Sequence, residues 1–175
     1  PPQKTGNEFI LVISTALMTR VRQIYPGESK VICVDSTGSV DSNELVVTLF
    51  MIVTCVGALP VGITIAGSKS QESYTSVFKM LRHLTETIDP HYAIDPDICM
   101  MDNDDGLRNA LKAVWQGATL FLCLFHVLQA VWRYLFTNNS GIAPQDRQLL
   151  FSKFKRCVYA KEEEVAAATT DLFEF

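Results

Sequence analysis

The sequence predicts a mixed α/β fold: a five-stranded mixed sheet with helices packed against it. Three observations lead there. Short runs of β-favouring residues recur along the chain, as in VICVD (31–35), ICMMD (98–102) and TLFLCLF (119–125). Helical periodicity separates the later strands, which implies parallel pairing, since a parallel connection needs a crossover. An uncharged stretch, residues 45–68, is broken by Gly57, Pro60 and Gly62, which implies an antiparallel hairpin.

Taken in order, residues 8–24 open with a β-like FILVIS and continue with a helix-like ALMTRVRQI, halted at Pro26 and Gly27. Residues 31–35 form the first strand of the core. Residues 44–55 and 60–66 form the hairpin, with GALP as its turn. The run from Ser68 to Ile88 is a helix starting at Ser70 or Gln71, with Tyr74, Val77, Phe78, Leu81 and Leu84 at helical spacing. PHYAIDPD is a loop and ICMMD a short strand. GLRNALKAVWQG is a helix with Leu107, Ala110, Leu111 and Val114 on one face and Gly117 as its stop. TLFLCLF is the fifth strand and runs into the helix HVLQAVWRYLF. NNSGIAPQD is a polar loop, and helix resumes from Arg147.

Composition narrows the function. The 175 residues are 48% hydrophobic and 19% charged, with a net charge of −4, enough for one domain with a substantial core. A domain that gripped DNA chiefly through phosphates would be basic, so this segment is not expected to supply most of any affinity for nucleic acid. Excess carboxylate suits a site for divalent cations. The five cysteines (Cys33, Cys55, Cys99, Cys123, Cys157) are odd in number and widely spaced, which reads as buried free thiols in a reducing compartment. The uncharged 45–68 stretch is long enough to span a bilayer, but its Val, Ile, Thr and turn residues favour the hairpin over a membrane span. The chain opens PPQKTG and stops in DLFEF, and we expect a segment of a longer protein.

Two strands end in acids, Asp35 and Asp102. Each alone has an ordinary explanation, because Asp, Ser and Gly are turn residues. Together they imply more: in a sheet with parallel strands the carboxyl ends lie together, and ligands bind there. Two carboxylates at one sheet end can share Mg²⁺ or Mn²⁺, and two metals in turn support phosphodiester hydrolysis. Asp104 and Asp105 are expected to cap the following helix, with Asp104 also within reach of an outer-ligand role. Asp41 reads as a turn residue. Trp115 and Trp132 sit at apolar helix positions and are assigned to core packing. Lys153, Lys155 and Arg156 form a basic cluster on a solvated helix face. Cys123-x-x-His126 lacks a second pair at zinc spacing, so a closed structural zinc site is not expected.

The ordered set DSTG, GALPVGITIAGSKSQESY, MMDNDDGLRNALKAVW and CLFHVLQAVWRYL resembles the catalytic domain of Mutator-like element (MULE) transposases over roughly residues 29–165. The resemblance implies a ribonuclease H-like fold with a DDE acid triad and a nuclear protein. It makes Asp35 the first acid and Asp102 the second, both holding Mg²⁺ or Mn²⁺, with Cys123 and His126 as the family's C-x-x-H motif. The third acid lies downstream of a helical insertion in this family. Glu162, Glu163, Glu164 and Glu174 are the remaining candidates, and a position beyond residue 175 is expected instead. On this reading residues 1–28 lead in, 29–137 form the core and 138–175 begin the insertion. The implied activity is metal-dependent DNA cleavage and strand transfer. DNA, as transposon ends and target, would be bound mainly by regions outside this segment, including a zinc finger module; homo-oligomerisation stays open. The alternatives are a domesticated, non-cutting DNA- or protein-binding domain and a haloacid dehalogenase-like phosphatase. The phosphatase class needs a second acid two residues after its nucleophile, where Thr37 stands here.

Overall fold

The computed structural model describes residues 9–38, 42, 44–137 and 140–173. The chain divides into two compact units, residues 1–123 and 124–175.

The first unit holds an open, mixed, six-stranded sheet. Its strands are β1 (Ile10–Ile13), β2 (Val31–Thr37), β3 (Val46–Thr54), β4 (Gly57–Ala66), β5 (Ile98–Met101) and β6 (Thr119–Leu122), in the spatial order β1-β4-β3-β2-β5-β6. The expected count of five is corrected to six. The FILVIS segment pairs antiparallel with β4, Ile10 opposite Ala66, and ALMTRVRQI becomes helix α1 (Ala16–Ile24). Thr15 separates the two by accepting a hydrogen bond from Met18 N at 3.2 Å, which caps α1.

Residues 46–66 form the expected hairpin, but the turn lies earlier than GALP. The strands meet at Thr54 and Gly57, around Cys55 and Val56. Gly57 takes φ +114°, a conformation that side chains resist, so it closes the turn. Ala58, Leu59 and Pro60 then pair with Val53, Ile52 and Met51. Pro60 is tolerated inside a central strand because the ladder skips there: Phe50 faces Gly62 and Met51 faces Pro60, leaving Val61 as the extra residue of a bulge. Among the described residues no helix is long and apolar enough to cross a membrane.

Helices α2 (Gln71–Ile88) and α3 (Asp105–Val114) pack together over the sheet. Ser70 caps α2 by accepting from Ser73 N at 3.1 Å. Tyr74, Val77, Phe78 and Leu81 of α2 and Leu107, Ala110 and Leu111 of α3 are buried against Ile32, Val34, Phe50 and Ile52 of the sheet. At the centre Phe50 meets Phe78 edge-on at 5.1 Å, and Trp115 lies 5.9 Å from Phe50. The Trp115 indole donates to the Ile94 carbonyl at 2.9 Å, so its one polar atom is satisfied inside the core.

The second unit comprises α4 (Leu124–Leu135), α5 (Pro144–Tyr159), a single 3₁₀ turn at Glu162–Glu164 and α6 (Val165–Phe173). Helix α5 starts three residues before the expected Arg147, because Pro144 fits the first turn, where no backbone donor is needed. Trp132 is not a core residue: it is exposed, stacked on Phe136 at 4.0 Å and edge-on to Phe151 at 5.0 Å. Lys153 and Arg156 both bind Asp171, at 2.9 and 3.1 Å, and so tie α5 to α6. Asp41 and Glu174 lie outside the described residues.

Candidate functional site

The strand register places the two predicted acids. β2 and β5 run parallel, with Val31 opposite Ile98 and Val34 opposite Met101. The next residue on each chain is Asp35 and Asp102. The two acids therefore stand one step past the last ladder pair, on neighbouring chains about 5 Å apart in the pairing direction. β6 continues the row. Met101 faces Leu122, the next residue is Cys123, and its N–H donates to the Met101 carbonyl at 2.6 Å. Asp35, Asp102 and Cys123 thus form one line across the carboxyl ends of three parallel strands. Asp35 is exposed and Asp102 half-buried.

Alternation along β2 sets their direction. Ile32 and Val34 enter the core, while Cys33 and Asp35 occupy the other face. On the core side the next residue is Ser36, whose hydroxyl meets that of Thr48 at 2.8 Å. Thr64 continues this row, in register with Thr48.

Two helices begin at the same sheet end. Asp104 caps α3: its Oδ1 accepts from Leu107 N at 2.7 Å. Asp105 binds Arg108 at 2.7 Å, so both residues serve the helix start as their position predicts. A Cβ on Gly106 would lie 2.7 Å from the Lys69 carbonyl oxygen and 3.4 Å from Gln71 N. The start of α3 therefore abuts the start of α2, and only glycine fits the contact. The positive end of α3 begins three residues past Asp102.

Tyr74, in the first turns of α2, connects this end to the core. It is 1% exposed. Burial pushes its hydroxyl up to about 12; the Ser36 side chain works against the rise, and the charges of Asp104 and Asp102 add to it. Periodicity finds Tyr74 as a core residue, but its closeness to the acids follows from tertiary packing.

The cysteines do not assemble a thiolate site. Burial raises the Cys99 thiol to about 12 and also raises that of Cys33, with Cys33 and Cys123 respectively adding to the effect. All five cysteines are free. Cys99 is buried, Cys33, Cys123 and Cys157 are half-buried, and Cys55 is exposed at the hairpin turn, which corrects the expectation of uniform burial. Among the described residues no three of His, Cys, Asp and Glu gather as a metal group. His126 lies in the first turn of α4, half-buried and edge-on to Phe125 at 5.5 Å. The division between the two units falls inside the C-x-x-H motif, after Cys123. Glu162, Glu163 and Glu164 form the exposed 3₁₀ turn of the second unit.

No curated protein matches the chain. A family model does: the MULE transposase domain, over residues 31–130, from the first residue of β2 into α4. That span exceeds half the chain and contains the acid row and the C-x-x-H motif, and the protein accordingly belongs to the MULE transposase domain family.

Proposed function

We propose that this chain carries the catalytic-core segment of a DDE transposase, acting in metal-dependent DNA cleavage and strand transfer. The observation that carries the reading is the register: Asp35 and Asp102 follow Val34 and Met101 in a parallel pair, which sets two carboxylates side by side. Both side chains offer oxygen donors, the ligands that Mg²⁺ and Mn²⁺ prefer. Adjacent carboxylates repel one another, and the start of α3, three residues past Asp102, offsets part of that repulsion. A divalent cation bound there would lower the pKa of a water and neutralise charge on the leaving oxygen of a phosphodiester. Asp35 is the more exposed acid and faces substrate; Asp102 is anchored by the capped helix that follows it. The sheet supports a ribonuclease H-like architecture, in which the acid-bearing β2 lies between an antiparallel hairpin and two parallel strands. The third acid is proposed to lie outside this chain, so the 175 residues alone are expected not to cut DNA.

The test is Mn²⁺ binding followed by paramagnetic broadening, for the native chain, Asp35→Asn and Asp102→Asn. Either substitution is expected to weaken binding by about tenfold or more. Binding that is absent, or indifferent to both substitutions, overturns the shared site and favours a non-cutting DNA- or protein-binding domain. Metal-dependent cleavage lost on changing Glu162–Glu164 would instead place the third acid in this chain.

A further inference from the structure

We propose that the open edge of β6 is a docking site for an extended strand of a partner protein in which apolar and acidic residues alternate. Among the described residues β6 ends the sheet order and pairs with β5 alone. Thr119 N donates to Asp97 O at 2.8 Å and Cys123 N to Met101 O at 2.6 Å. Backbone groups alternate in direction along a strand, so the odd-numbered residues bond β5. Leu120 and Leu122 therefore present their N–H and C=O groups to the open side, and Leu122 remains 47% exposed. The strand carries no charge and no proline, two common devices that discourage pairing at an edge.

Beside this edge lies a cleft of about 210 Å³ between β6 and α3. Met101, Leu120 and Leu122 line it, and Arg108 and Lys112, one helical turn apart on α3, lie at its rim. Asp105 already binds Arg108 at 2.7 Å, so Lys112 supplies most of the rim's surplus positive charge. An added strand would bond its backbone to Leu120 and Leu122 and set alternate apolar side chains into the cleft. Carboxylates on such a strand would reach the rim cations. A nucleic-acid backbone matches the cations but leaves the apolar floor and the strand's backbone groups unfilled.

The experiment uses the full 175-residue chain and a short fluorescein-labelled peptide of alternating valine and glutamate, read by anisotropy. A valine–lysine peptide is the charge control. Saturable binding of the valine–glutamate peptide is expected, weaker by about tenfold in Lys112→Glu and lost in Leu122→Pro, which deletes one outward N–H. The valine–lysine peptide should bind at least about tenfold more weakly to the native chain. Circular dichroism checks folding; should Leu122→Pro unfold, Lys112→Glu and the control peptide decide. Absence of saturable binding, or binding indifferent to Lys112→Glu, overturns the proposal. Displacement of the peptide by a single-stranded oligonucleotide whose own binding is lost in Lys112→Glu overturns it in favour of a nucleic-acid contact.

Discussion

Arg22 is 1% exposed and has no carboxylate bound to it among the described residues. Its Nε donates to Tyr92 O at 2.6 Å, one terminal nitrogen to Val61 O at 2.7 Å and the other to the Thr19 hydroxyl at 3.3 Å. Burial lowers its pKa, against the opposing pull of Asp89. The fork fastens α1 to β4 and to the turn that carries Tyr92. Arg22→Ala removes the donors to the buried Val61 carbonyl and the half-buried Tyr92 carbonyl and is expected to cost about 3 kcal/mol in urea unfolding. Thiol chemistry gives a second expectation. Cys55 is exposed, whereas Cys99 is 1% exposed with its thiol held near 12. Iodoacetamide at mildly alkaline pH should modify Cys55 first and leave Cys99 unmodified until the chain unfolds, as read by peptide mass spectrometry. Sequence position was enough to identify the Asp104 cap, because a cap bonds within its own first turn. Arg22 was illegible, because its two carbonyl acceptors lie 39 and 70 residues away.

At the scale of elements, the meeting of α2 and α3 is the most constrained contact near the acids. Gly106→Ala places a methyl group 2.7 Å from the Lys69 carbonyl, and backbone yields poorly. The substitution is expected to cost about 2 kcal/mol in thermal or urea unfolding. On the metal site proposed for Asp35 and Asp102, it should also weaken Mn²⁺ binding, since the start of α3 must move. The α5–α6 pair carries a pH dependence. Hydrogen bonding from Lys153, followed by its charge and that of Arg156, holds the Asp171 carboxyl below its ordinary range, with desolvation opposing. A carboxylate whose pKa is depressed by folding stabilises the fold above its unfolded pKa and loses that contribution as pH falls through the folded one. Acid should therefore loosen α5 from α6, and Asp171→Asn should remove the dependence, seen in hydrogen exchange of α6 amides. The hairpin was legible from its breakers, but its turn was misplaced. GALP reads as a turn until the bulge at Val61 shows how Pro60 can sit within a strand. Bulges depend on partner register, which local residue preference does not encode.

Across the whole molecule the two units differ in how much they bury. The first has a contiguous core around Phe50, Phe78, Leu81 and Trp115, all 2% exposed or less. In the second, Leu135, Ser140 and Ala168 are the buried positions among its described residues. One tryptophan reports on each unit: Trp115 on the first and Trp132 on the second. With Trp132→Phe and Trp115→Phe variants, the Trp132 emission is expected to change at lower urea than that of Trp115. Coincident transitions would show one cooperative unit instead. By itself the sequence determined the hairpin, helices α2 and α3 with their capped starts, and the two acids, of which Asp102 follows the end of β5 while Asp35 lies two residues inside the end of β2, since period, breakers and caps act over a few residues. The tertiary structure alone decided the sixth strand, the exposure of Cys55 and Trp132, the proximity of Tyr74 to the acids and the register that sets Cys123 in line with them. Each of these depends on register and packing between segments far apart in the chain, where local preference carries no information.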